Sequence, residues 1–142
     1  MITVRNITDG IVQALFDEFG EGYTFYTDDV QQNLTAPAFL IVCVEPKTEQ
    51  VIGARYRREH LFNIVYFPEN ENSSAEIYDV QERLFPALEY ITVDGDLVRG
   101  TGCEMRVIDG VLNVTINYDT FVYKGNERVM MSELEYRSVN KK

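Results

Sequence analysis

The chain has 142 residues, 45% of them apolar and 25% charged, with 8 Phe and 9 Tyr, which excludes a disordered tail and suits one domain with a sizeable core. Thirteen Lys and Arg against 23 Asp and Glu leave a net charge of −10, which argues against a domain built to grip nucleic acid. There is no 18-residue apolar run to span a membrane and no basic-then-apolar leader at Met1–Asn6. Two cysteines in apolar runs, Cys43 and Cys103, read as buried thiols rather than a disulfide framework.

The charge is unevenly placed. Residues 1–50 carry 2 basic and 8 acidic side chains, residues 51–123 carry 6 and 12, and residues 124–142 carry 5 and 3. An acidic body with a basic end suits head-to-tail packing of copies; a solvated terminus is the plainer alternative.

Residues 3–19 predict a helix. Val4, Ile7, Ile11 and Leu15 fall on one face, Phe16 and Phe19 extend it, Thr3 is the N-cap, and Gly20 and Gly22 bracket the stop. Gly10 reads as a weak point, costing about 1 kcal/mol against Ala. Tyr23–Thr27 predicts a short strand, and the polar residues Asp28, Asp29, Gln31, Gln32 and Asn33 a connection. Phe39–Val44 is continuously apolar and predicts a strand buried on both faces. Residues 54–67 predict a longer strand, with a charged outer half at 55–59, an apolar inner half at 61–67, and Pro68 at its end.

Residues 74–89 predict a second helix. Ile77, Val80, Leu84 and Leu88 form its buried stripe, and Ser73 and Glu76 have capping-box spacing. Pro86 should kink the last turn or end it early. Asp94-Gly95 reads as a turn. Asp109-Gly110 is a hairpin turn that sets facing positions to sum to 219: Val107 opposite Leu112, Met105 opposite Val114, Cys103 opposite Ile116, Thr101 opposite Tyr118. The polar face pairs Arg106 with Asn113, Glu104 with Thr115, Gly102 with Asn117 and Gly100 with Asp119; a bulge at Gly100 or Gly102 is compatible with this register. From Lys124 onward helix and strand fit equally. The expected fold class is α+β: a single domain over 1–142, a mostly antiparallel sheet with two main helices packed on it, and 124–142 as an extended interaction tail.

Chemistry is sparse. His60 is the only histidine, so no multi-histidine metal site can form, and it reads as an ordinary, partly exposed strand residue. The glycines match no phosphate-binding fingerprint, and the Asp28-Asp29 and Asp94/Asp96 pairs do not continue into a calcium loop. No catalytic residue, cofactor or metal ligand is expected. Arg55, Arg57 and Arg58 with Tyr56 form the one local basic spot. A protein interface is favoured there over phosphate, and a solvated strand end fits as well as the two together.

In order along the chain stand Gln32-Asn33-Leu34, Pro37-Ala38-Phe39-Leu40-Ile41, Gly53-Ala54-Arg55-Tyr56-Arg57-Arg58 and Phe62-Asn63-Ile64-Val65-Tyr66-Phe67-Pro68. They are followed by Arg99-Gly100, Asp109-Gly110-Val111-Leu112, Asn117-Tyr118-Asp119 and Met130-Met131. In this order the chain resembles the tail-terminator family of contractile phages and Gram-positive prophages. The resemblance implies a structural virion protein of the tail and neck, without enzymatic activity, assembled in the bacterial host cytoplasm. It implies a homohexameric ring on the last ring of tail-tube protein, in contact with sheath and head–neck connector proteins. DNA would pass through the lumen without specific binding, and no membrane is involved. The surfaces expected to make subunit or tube contacts are Arg55, Tyr56, Arg57, Arg58, Asn113, Thr115, Asn117, Met130 and Met131. Two other classes stay open at this point: another neck component (head-closure or tail-completion), and a small enzyme using carboxylates.

Overall fold

The computed structural model describes residues 2–27, 35–70 and 74–123. The polar connection expected at 28–34, the capping residue Ser73, and Met130 and Met131 with the rest of 124–142 lie outside the described residues. The elements follow in the order α1 (Val4–Phe19), β1 (Thr24–Tyr26), β2 (Ala38–Ile52), β3 (Arg55–Phe67), α2 (Ser74–Glu89), β4 (Tyr90–Val93), β5 (Asp96–Ile108) and β6 (Val111–Tyr123). The six strands form one sheet in the order β1-β2-β3-β6-β5-β4. β1 runs parallel to β2, whereas β4–β5 and β5–β6 are antiparallel, and the α+β architecture is the expected one. Among the described residues two compact units are distinguishable, one from residues up to Pro46 with Glu59–Asp119 and one from Lys47–Arg58 with residues 120–123.

The first unit holds the core. Thr3 caps α1 by accepting from the Asn6 N–H at 3.1 Å, while the Asn6 side chain accepts from the Thr3 N–H at 3.0 Å, a reciprocal pair that satisfies two free donors. Gly20, at φ 86°, ends the helix and donates to the Phe16 carbonyl at 2.8 Å. Ile7, Ile11, Leu15 and Phe19 are buried, and Phe16 stays exposed against the edge of Phe25. α2 buries Ile77, Val80, Leu84 and Leu88, the expected stripe. Both stripes join one core with Phe39, Ile41, Phe62, Ile64, Tyr66, Leu112, Val114, Ile116 and Tyr118 from the sheet.

Several expectations are corrected. Gly10 is a point of close approach: a Cβ there would stand 2.8 Å from the Thr92 carbonyl oxygen and 3.1 Å from Val93 Cγ2, so glycine lets α1 lie against β4. Pro86 does not end α2, which runs to Glu89; Pro86 is exposed, and so is Glu82, whose carbonyl loses its donor. β2 does not stop at Val44 but continues through Pro46 to Ile52, and only Ala38, Phe39 and Ile41 are fully buried, so it is not a strand buried on both faces. Pairing with β1 covers only Ala38–Leu40, and the later part of β2, exposed from Val44 to Ile52, carries Pro46 within the strand. The two-residue turn Gly53–Ala54, with Gly53 at φ 53°, leads back into β3.

The β5–β6 register is the expected one from Val107–Leu112 through Met105–Val114 to Glu104–Thr115. A bulge then shifts it by one, pairing Thr101 with Asn117 and Gly100 with Tyr118. Gly102, at φ 63°, supplies the extra residue. The shift reverses the facing of what lies beyond, so Thr101 is exposed where an inward position was expected. Gly100 is buried where an outward one was, and a Cβ on it would stand 2.5 Å from Ile116 Cδ1. Toward the turn, Val107 is 46% exposed, so the apolar face thins out there. Both Asp-Gly turns have positive φ at both residues, the conformation expected of two-residue hairpins.

Candidate assembly surface

His60 is fully buried, not partly exposed, and its Nδ1–H donates to the Tyr118 carbonyl at 3.0 Å. The reason is strand parity. His60 shares the inward face of β3 with Phe62, Ile64 and Tyr66. Tyr118 in turn donates its hydroxyl to the Leu88 carbonyl at 2.6 Å, satisfying one of the free acceptors at the end of α2. Burial raises the Tyr118 phenol well above its usual range. Cys43 and Cys103 are free and half-buried, and burial raises both thiols. These are packing roles, and the raised thiol values work against nucleophilic reactivity.

Two further polar devices hold the core unit together. Arg83 donates to Glu18 Oε2 at 3.0 Å and to the Glu18 carbonyl at 2.8 Å, joining α2 to the end of α1, and its guanidinium lies 4.3 Å from the centre of the Phe19 ring. Glu76 accepts from the Tyr66 hydroxyl, from the Glu69 N–H at 2.7 Å and from the Asn70 N–H at 3.1 Å. Partial burial pushes its carboxyl up, but these donors outweigh it and leave the group below the usual carboxylate range. These bonds tie the β3–α2 connection.

Among the residues singled out from sequence, Asn113 and Thr115 come together. They line an open groove of about 640 Å³ on the outer face of the sheet, with Val44, Asn63, Glu104, Met105, Arg106 and Ile108. Val44 and Ile108 are exposed, giving the groove an apolar lining between polar side chains. Asn117 lies further along the same face of β6 and donates to Asp119. The long strands β2 and β3 bring Arg55, Tyr56, Arg57 and Arg58 onto the second unit, all half-buried. There the Arg57 guanidinium pairs with Glu49 at 3.0 Å, and the Arg55 guanidinium lies 4.2 Å from the centre of the Phe121 ring. Gln50 Nε2 donates to the Gly53 carbonyl at 2.6 Å and braces the turn. Val51, Ile52, Phe121 and Tyr123 of this unit are exposed.

Sequence reasoning missed the groove and the apolar hairpin tip. The signal for the tip was available in Gly53-Ala54, a turn pair between Val51-Ile52 and the Arg55–Arg58 run. The groove had none, because its lining comes from two hairpins, β2–β3 and β5–β6, that are distant from each other in sequence.

Among the described residues no three His, Cys, Asp or Glu side chains gather to hold a metal, and no helix is long and apolar enough to cross a membrane. The family model for phage tail terminator proteins matches residues 6–130, most of the chain, and the protein belongs to that family. No curated protein matches the chain. It is thus a structural protein of phage tail assembly, placed with the virion tail and neck.

Proposed function

We propose that the protein ends tail-tube polymerisation as a ring of six copies seated on the last ring of tube subunits. The opposite side of the ring receives the head–neck connector, and in a contractile tail the rim meets the end of the sheath. Assembly takes place in the host cytoplasm. The observation that carries this reading is the family match across residues 6–130. The charge of −10 supports it independently, because an acidic lumen repels phosphate and lets DNA pass without holding it. The contact surfaces in this reading are Arg55, Tyr56, Arg57 and Arg58, the outer-face residues Asn113, Thr115 and Asn117, and Met130 and Met131 in the basic end. Native mass spectrometry of the full chain, alone and with tube protein, tests it. Six copies per particle are expected, with the ring loosening as salt rises because exposed charges are screened beyond about 8 Å at physiological ionic strength. Removing 124–142 should weaken the ring more than it lowers the melting temperature. A strict monomer under both conditions would overturn the reading.

A further inference from the structure

The two unexplained surface features are complementary. At the tip of the β2–β3 hairpin, beside the Gly53–Ala54 turn, stand Val51 and Ile52, 49% and 71% exposed. Scattered exposed aliphatic side chains need no explanation, but strand neighbours point to opposite faces, so Val51 and Ile52, with exposed Ala54 in the braced turn, make both faces of the tip apolar. The hairpin segment 47–58 carries Lys47, Arg55, Arg57 and Arg58 against Glu49, a net charge of +3 in a chain of −10. The groove offers the opposite pattern. Its volume of about 640 Å³ is in the range of clefts that take up several side chains, and Val44, Met105 and Ile108 give it an apolar lining. Glu104 lines it, and the exposed Glu45 and Asp109 follow Val44 and Ile108 in the chain, so with Arg106 its surroundings carry −2.

We propose that the occupant of this groove is the hairpin tip of a second copy of the chain, with Val51 and Ile52 set against Val44, Met105 and Ile108 and the basic flank of the hairpin facing the acidic rim. Such a joint uses two different patches, so each copy gives a tip and receives one. Contacts of that kind close into a ring when the rotation per copy is right. The inference rests on the ring reading above and names the joint within it.

Cysteine pairing on the full chain tests the joint, under whichever condition gives the ring, alone or on tube ends. Ile52→Cys and Asn113→Cys are made separately and as a double variant, with the unsubstituted chain as the control for Cys43 and Cys103. Under mild oxidation each single variant should stay uncrosslinked, their mixture should give covalent dimers only, and the double variant should give a ladder reaching six. Val51→Cys with Thr115→Cys repeats the test should either first substitution impair folding. A ring of six that forms without these crosslinks would overturn the joint and leave the ring reading standing. Ile52→Cys crosslinking to itself, or to cysteine-bearing tube protein in place of Asn113→Cys, would also overturn it. Absence of any ring would remove the ring reading and the joint with it.

Discussion

Replacing Gly10 with alanine separates two accounts of the same helix. By intrinsic preference alone the change should help: alanine in a helix interior is worth about 1 kcal/mol over glycine. The fold points the other way. The new methyl carbon would stand 2.8 Å from the Thr92 carbonyl oxygen, which is strand backbone and cannot swing aside, and 3.1 Å from Val93 Cγ2. Relieving that overlap requires α1 to lift from β4, and overpacking of this kind costs about 1–3 kcal/mol. Net destabilisation of up to about 2 kcal/mol is expected once the propensity gain is subtracted. At roughly 3 °C per kcal/mol for a chain of this size, the melting temperature should fall by up to about 6 °C. Urea titration followed by far-UV circular dichroism measures it as a lower midpoint at unchanged slope. A midpoint that rises would refute the close-packing argument and restore Gly10 as a plain weak point of the helix.

Three further outcomes follow from the core unit and the hairpin. Glu76→Ala should cost about 1–3 kcal/mol by leaving the Tyr66 hydroxyl and two backbone N–H groups without their acceptor. Because the Glu76 carboxyl is held below its usual range, its stabilisation is present above the ordinary carboxylate pKa and is lost as pH falls through the folded one. Urea midpoints at pH 7 and pH 3 should therefore differ less in Glu76→Gln than in the parent. Leu84→Ala, fully buried between α2 and the sheet, should lose about 2–5 kcal/mol, against about 0.5 kcal/mol or less for exposed Tyr78→Ala in thermal melts of the pair. Arg57→Ala should change stability by less than about 1 kcal/mol, since its bridge to Glu49 is solvent-exposed, so any loss of assembly in that variant is a contact effect.

What could be read from sequence depended on how local the determinant was. The stripes of both helices and the turn at Asp109-Gly110 are short-range patterns, and all but Phe16, which stays exposed, are found in place. The register also held from the turn to Glu104, because alternation and turn chemistry agree there. It slipped at Gly102, where the choice of which glycine takes the extra residue depends on packing of Gly100 beneath Ile116 and the Leu88 carbonyl. β2 was cut short because Glu45, Pro46 and Lys47 look like a loop, whereas the strand carries them in its exposed part beyond Cys43. His60 looked exposed because its neighbours Arg58 and Glu59 are charged. Its inward parity and the Tyr118 carbonyl waiting for its proton depend on β6, 58 residues further on. The arginine cluster was visible as a cluster, but its place on a hairpin with an apolar tip required the turn at Gly53. Function came from the order of non-catalytic motifs, which no single residue carries.

Tube growth in the presence of the protein tests the central claim most directly. Purified tube protein polymerised with increasing amounts of the chain should give progressively shorter tubes, each bearing at one end a cap with six-fold symmetry in electron micrographs. Tubes of unchanged length with bare ends, at concentrations where the chain is folded and in excess, would contradict the account.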